Sequence, residues 1–478
     1  MKFVRIYSHF IILFLFISTA INSQIQFTEH EILSDIQGGY TIVPLDFDGD
    51  TYIDLVVTSF RGGCVKLFKN DGAQNFTRHT LCEGITEPKG LVVCDLDSDS
   101  DYDLVVGVSG ENKLVWFEND GTQNFTEHLL TGAGWGGANF VTYGDIDSDG
   151  DLDIIGTACK GNRISWFEND GNKNFTERSL KTGWSGVNSA IASDIDSDGY
   201  VDIIATAKEG RIIIFRNDGS QNFTESIACT GWPGANSIYA YDFDKDGDVD
   251  LAASACGDSR EVAWYENDGS LNFTKHMAAN YYNGARSARV VDIDSDGDND
   301  IIACAWEKGY VTFLENRGDQ TFSRRRLCST FLEGITVAAV DLDSDGDLDI
   351  VGVSLGAAYG APGEVKWWEN PGQTVDIEDD ESLPENFSLY QNYPNPFNPV
   401  TIINYNIPST KVLSDGGMQV QLNVYDHLGR VIETLVDETQ NAGFHKAVFN
   451  ASNLPSGVYY YRLQADAFTL TRKMILLK

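Results

Sequence analysis

The sequence predicts an all-β fold: a seven-bladed β-propeller closed by its N-terminal strand, followed by a small C-terminal β-sandwich. Three observations predict it. An aspartate-rich stretch of nine residues occurs seven times, and its first aspartates stand 49, 50, 49, 48, 50 and 49 residues apart; a period this regular marks a repeat architecture. Each period holds four short segments rich in β-branched and aromatic residues, separated by turn signals and without a helical period. Finally, a fourth-strand sequence precedes the first repeat, and the last repeat lacks one.

From the N-terminus, residues 1–23 read as a signal peptide: Lys2 and Arg5 precede the apolar run FIILFLFISTA, and small residues follow at Ala20 and Ser23. The run is short for a membrane span, and no other stretch approaches the required length. No cysteine follows the expected cleavage sites, so a lipid anchor is not indicated. An exported, soluble protein without a transmembrane segment is expected.

Residues 24–372 hold the propeller. In residues 137–182, GANFVTYGD leads into an acidic loop, LDIIGTAC leaves it, NRISWFE is a third strand and NFTERSLKT a fourth. The Asn-Asp-Gly between the last two is a hairpin signal. The segment IQFTEHEIL, from Ile25, matches the fourth strand and supplies what is missing after VKWWENPG, residues 365–372. Its addition closes the ring and removes exposed sheet edges. In this alignment His30, His79, His128 and His276 share one position of the fourth strand, and Trp116, Trp166, Trp264 and Trp367 share one of the third. Both sets read as structural, the tryptophans as inter-blade core. The recurring Asn-Phe-Thr reads as turn and strand chemistry rather than as a glycosylation signal.

The acidic loops follow Asp-x-Asp-x-Asp-Gly-x-x-Asp. Their candidate ligands are Asp46, Asp48, Asp50 and Asp54; Asp95, Asp97, Asp99 and Asp103; Asp145, Asp147, Asp149 and Asp153; Asp194, Asp196, Asp198 and Asp202; Asp242, Asp244, Asp246 and Asp250; Asp292, Asp294, Asp296 and Asp300; Asp341, Asp343, Asp345 and Asp349. Carboxylates at positions 1, 3 and 5 can converge on one side, position 7 offers a carbonyl, and position 9 reaches back from the next strand. Glycine at position 6 permits the turn. An all-oxygen set without His or Cys selects a hard cation, and calcium fits better than magnesium, which keeps its waters. The formal charge of −37 is concentrated here, since the seven loops hold 33 aspartates. With no basic stripe, nucleic acid is excluded as a partner.

Strand, acidic loop and following apolar strand resemble FG-GAP or VCBS-type repeats and are similar to the calcium-binding blades of integrin α-subunits. The resemblance implies one calcium ion per loop, up to seven, on one face of the disc. Two loops depart from it: Thr51 and Ser100 stand at position 6, with Gly49 two places earlier in the first loop. Weaker binding is expected in both.

Eight cysteines in an exported chain permit disulfides. No CxxC pair occurs, and Cys64 and Cys82, at the two ends of a hairpin, are the expected bridge; the alternative is two buried thiols.

Residues 373–387 read as an acidic linker. Residues 388–478 alternate apolar residues and turn signals as a small β-sandwich. Their YPNPFNP, VYDHLGR and LPSGVYYYRL resemble the C-terminal sorting domain of the bacterial type IX secretion system. This implies engagement of the secretion machinery, export across an outer membrane, removal of the tail, and release or attachment at the cell surface.

A secreted or surface-bound recognition and adhesion module for glycans or surface proteins is therefore expected, acting as a monomer. The alternative is an extracellular polysaccharide-degrading enzyme, a lyase or hydrolase on a propeller scaffold. Against it, no loop breaks the repeat with a unique His, Ser or Glu constellation, and no catalytic residue is singled out. Candidate ligand contacts lie on the inter-blade connections: Trp135, Trp184, Trp232 and Tyr282, followed by Asn139, Asn188, Asn236 and Arg286. Aromatic faces beside amide donors suit sugar rings; the competing reading is that they plug the gaps between blades.

Overall fold

A computed structural model of the 478-residue chain describes residues 25–131, 134–356, 361–371, 387–392, 395, 397–408, 418–440, 443–465 and 468–477. The expected signal peptide, and the expected linker apart from Phe387, lie outside these. The chain divides into two compact units, Met1–Thr374 and Val375–Lys478.

Unit one is built of seven four-stranded antiparallel sheets, with no helix among the described residues. Blade 3 is typical: Ala138–Gly144, Asp153–Ala158, Arg163–Asn169 and Phe175–Thr182, in sequence order. Its second strand is buried throughout, as in every blade, because it is covered by a neighbouring blade on each face. The last hairpin turns on Asp170, whose carboxylate accepts from the Asn172 and Asn174 N–H groups and from the Asn174 side chain. That is the turn chemistry expected of the Asn-Phe-Thr asparagine.

The first strands of successive blades pack side by side, and Gly39–Leu45 of blade 1 packs on Gly334–Val340 of blade 7. The ring is closed by Thr28–Ile36, which pairs antiparallel with Gly363–Glu369 and completes blade 7. Lys366 Nζ reaches Glu29 at 2.9 Å, Trp368 Nε1 donates to the same carboxylate at 3.1 Å, and His30 stacks on Trp367 with ring centroids 4.5 Å apart. His128 on Trp116 and His276 on Trp264 repeat that stack at 4.7 and 4.4 Å. Each of the three histidines also meets a glutamate of the third strand. The four aligned tryptophans are buried in the clusters between blades.

The expected Cys64–Cys82 bridge is corrected: all eight thiols are free. From Asn70 opposite Phe76 back to Lys66 opposite Thr80, the hairpin register points Cys64 at Cys82. A bulge between Val65 and Lys66 then shifts it, so that Cys64 faces Glu83 and Val65 faces Cys82. One residue of slip puts the two sulfurs on opposite faces of the sheet.

Unit two is a sandwich of a three-stranded and a four-stranded sheet around one core containing Tyr405, Leu422, Phe449, Tyr461 and Met474. In VYDHLGR, Asp426 accepts from the Leu428 and Arg430 N–H groups and from Arg430 Nε, and Gly429 adopts φ 77°. These bonds, led by the Arg430 N–H, hold the Asp426 carboxyl below its ordinary range.

Candidate metal loops and the axial ring

Each acidic loop is drawn together by its own backbone. In blade 3, Asp145 accepts from the N–H groups of Asp149 and Gly150 at 3.1 and 3.2 Å, and Asp149 accepts from the Asp151 N–H at 2.9 Å. Residues at position 4, such as Ser148 with φ 64°, and at position 6 adopt the left-handed region. Glycine holds φ between 94° and 104° at position 6 in five loops, whereas Thr51 and Ser100 sit at 78° and 80°. A β-branched residue such as Thr51 is strained there.

The position-9 aspartate is fully or almost fully buried in all seven loops. One oxygen accepts from the position-2 N–H, the other from the N–H of an asparagine ending the third strand. For Asp153 these are Ile146 at 2.9 Å and Asn169 at 2.8 Å. Burial raises these carboxyls, against the lowering effect of the asparagine N–H: Asp300 to about 9, Asp153 and Asp349 to about 8, Asp103 and Asp202 to about 7, Asp54 and Asp250 to about 6.

The loops bring three carboxylates into register, with one oxygen from each within 4.8 Å of the others, among them Asp46, Asp48 and Asp50; Asp95, Asp97 and Asp99; Asp145, Asp147 and Asp153; Asp194, Asp196 and Asp202; Asp242, Asp244 and Asp246. Six loops also hold a buried carboxylate oxygen with no hydrogen-bond partner, Oδ1 of Asp97, Asp147, Asp196, Asp242, Asp292 or Asp341. A buried anionic oxygen without a partner is costly, and a hard cation is the partner these donor sets fit. Blade 1 has no such atom, and there Lys69 bonds Asp48 and approaches Asp50 at 3.4 Å. In blade 2, Lys173 reaches Asp97 Oδ2 at 2.6 Å. The two loops lacking the position-6 glycine are thus also loops in which a lysine stands on the position-3 carboxylate.

The asparagine latch was not read from the sequence as part of these loops. Asn70, Asn119, Asn169, Asn217, Asn267, Asn316 and Asn370 all donate an N–H to the position-9 aspartate of their blade. Several side-chain amides also reach the preceding blade's position-2 carbonyl: Asn70 to Leu342, Asn217 to Ile146, Asn370 to Ile293. The signal was available, since the same Asn occurs once per repeat.

The expected ligand rim is corrected. Trp135, Trp184, Trp232 and Tyr282 are at most 3% exposed and fill the seams between blades. Trp135 packs on Phe167, Trp184 on Phe215 and Trp232 on Tyr265, while the Tyr282 hydroxyl donates to the Ala303 carbonyl. The neighbouring glycines serve this inward turn: Gly234 has φ 88°, and a Cβ there would fall 1.5 Å from the Cys256 carbonyl oxygen. The amides are engaged as well. Asn139 donates to Asn188 Oδ1 at 2.7 Å, Asn188 to Asn236 Oδ1 at 2.5 Å, and Asn236 to the Arg286 carbonyl at 2.5 Å. Arg286 Nη2 donates to the Tyr40 hydroxyl at 2.9 Å, which donates to Asn139 Oδ1 at 3.4 Å. Five blades are thereby joined in one ring across the propeller axis.

Comparison with known families gives two matches. A model described as FG-GAP-like repeat matches residues 46–106, 95–156, 145–205, 194–253, 242–303 and 292–352, each window opening on the first aspartate of an acidic loop and together spanning more than half of the chain. A model described as secretion system C-terminal sorting domain matches residues 391–477. No curated protein matches. Among solved structures, PorZ, a bacterial surface component of the type IX secretion system of Porphyromonas gingivalis, is similar at 14% identity with a TM-score of 0.44, over 92% of this chain and 60% of that one. A fungal alcohol oxidase of the AA5 family, in complex with copper, is similar at 11% identity with a TM-score of 0.49, over 95% of this chain and 100% of that one. At these scores neither bears on what this chain does.

Proposed function

Since the chain belongs to the FG-GAP-like repeat family, we propose that it is a calcium-loaded propeller that recognises glycans or proteins outside the cell. Its sorting domain makes it a secreted or outer-surface protein that engages the secretion machinery. The observation that carries the calcium reading is the set of partnerless buried Oδ1 atoms in six acidic loops. Aspartates at positions 1, 3, 5 and 9 would hold the ion, and its charge would offset the repulsion among them. The recognition role rests on the architecture: seven loops fix a rigid disc, whose other face is left for contact. A site of this kind is fitted to binding, because its carboxylates are committed to metal and to the asparagine latches.

The reading is tested with purified full-length protein in calcium buffer, applied to arrays of polysaccharides and extracellular proteins and scored for retention and for bond cleavage. Saturable retention without cleavage is the expected result; cleavage of any polysaccharide replaces it with the enzyme reading. The tail is proposed to be removed on export. Mass spectrometry of the exported protein is expected to find a chain ending before the sandwich, and an intact tail on it would count against removal.

A further inference from the structure

The Tyr40 ring meets two cations, Lys89 and Arg286, that have no acidic partner among the described residues. Lys89 Nζ lies 5.6 Å from the Tyr40 ring centroid and 5.7 Å from that of Phe60, and these two rings stack at 5.9 Å. Arg286 Cζ lies 5.8 Å from the Tyr40 ring and 5.9 Å from that of Trp306, which is 41% exposed. The groups acting on the Arg286 guanidinium are a phenol and two thiols, Tyr40, Cys256 and Cys304; no carboxylate is among them. Yet the chain carries 71 acidic residues against 34 basic ones, and many of its other surface cations are ion-paired.

We propose that the axial pair of Lys89 and Arg286, both set against the Tyr40 ring, binds an oxyanion, the carboxylate or sulfate of an acidic sugar, which makes acidic polysaccharides the ligand class of the recognition role proposed above and rests on it. Half-buried cations without counter-ions gain from an anion that restores what desolvation removes. A guanidinium meets a carboxylate or sulfate through paired N–H donors. Tyr40, Phe60 and Trp306 supply faces for the C–H side of a sugar ring. The acidity of the chain does not prevent this. Lys89 and Arg286 are each the second residue of a seven-residue first strand, so the aspartate loop at the other end of that strand is roughly 20 Å away at the usual rise per residue, against a screening length of about 8 Å at physiological salt.

The test uses full-length protein in calcium at physiological ionic strength, with polygalacturonate, dextran sulfate and unmodified dextran as probes, and free galacturonate and sulfate as small ones. Binding of polygalacturonate or dextran sulfate but not of dextran is expected, weakened about tenfold or more in Lys89→Ala and retained in Lys89→Arg. The amine of Lys89 makes no hydrogen bond among the described residues, so its removal leaves the ring intact, which an unchanged melting temperature verifies. No anion binding, or binding undiminished in Lys89→Ala, overturns the proposal. Binding of neutral glycans insensitive to Lys89→Ala overturns it while the glycan reading stands. Lys89-dependent binding of free galacturonate or sulfate, with no polymer bound, supports the oxyanion site and counts against the glycan reading.

Discussion

The side-chain amide of Asn169 donates to the Leu96 carbonyl at 3.0 Å, joining the acidic loop of one blade to the hairpin end of the next. The Asn169 N–H meanwhile donates to Asp153 at 2.8 Å. One residue therefore ties a loop to its own third strand and to its neighbour. Asn169→Ala removes the side-chain half of this latch and leaves the buried Leu96 carbonyl without that donor. A loss of about 1–3 kcal/mol is expected, read by urea denaturation. Asn172→Ala, in the exposed turn beside it, serves as the control and is expected to cost less than about 0.5 kcal/mol.

Calcium is expected to raise the melting temperature, because it binds the folded loops and not the unfolded chain. Excess chelator removes that gain. Asp147→Asn weakens one loop only, since the Oδ1 without a partner there belongs to Asp147; calorimetric titration should then find one ion fewer. Equal melting temperatures with calcium and with chelator would refute the metal reading.

In chelator, stability should fall as pH rises. The position-9 carboxyls are raised by burial, to about 6 in Asp54 and about 9 in Asp300, so the folded state holds their protons more tightly than the unfolded state does. Such groups contribute fully below the unfolded value of about 4, and the contribution is lost as pH climbs through the folded values. Calcium competes for the deprotonated form. The gap between melting temperatures with calcium and with chelator is therefore expected to widen from pH 5 to pH 8. A gap that narrows over this range contradicts the assignment.

Blade 1 should be the weakest loop, for two separable reasons. Lys69 occupies Asp48, and Thr51 holds φ 78° where the other loops use glycine at wider angles or, in blade 2, Ser100. Lys69→Met removes the competing cation, and Thr51→Gly relieves the backbone. Each is expected to tighten calcium binding at this loop several-fold, the double variant more than either, measured by titration in a background where Asp147→Asn and its counterparts silence the other loops.

Much of this was legible in the sequence because the repeat makes its own alignment. The aspartate ladder marks each blade, the Asn-Asp-Gly turn marks the last hairpin, and the unmatched strand at Ile25 marks the closure. What was misread depends on register and on rotamer, which the pattern does not encode. The bulge between Val65 and Lys66 parts Cys64 from Cys82, although residue counting alone sets them face to face. The Gly-Trp-x-Gly connections serve equally for a ligand platform and for a seam filler, and burial chose the second. Asn169 escaped notice because its Oδ1 also caps the turn, accepting the Gly171 N–H at 3.2 Å, so that the turn alone accounted for it.

The closing strand should be needed for a monomeric ring. Thr28–Ile36 covers the edge of Gly363–Glu369, which carries Trp367 and Trp368, both nearly fully buried. Deleting residues 25–33 leaves that edge with unpaired N–H and C=O groups beside two large aromatics, a template for pairing with a second chain. Light scattering is expected to report association of the truncated protein. A milder variant separates edge exposure from general unfolding. Glu29→Ala keeps the strand and removes the partner of Lys366, which is 6% exposed, and of the Trp368 indole. Glu364 stands 3.3 Å from Lys366 and retains part of the pairing, so the expected loss is about 1–3 kcal/mol, without association. A truncated protein that stays monomeric, with an unchanged melting temperature, would mean that blade 7 is complete without its N-terminal strand.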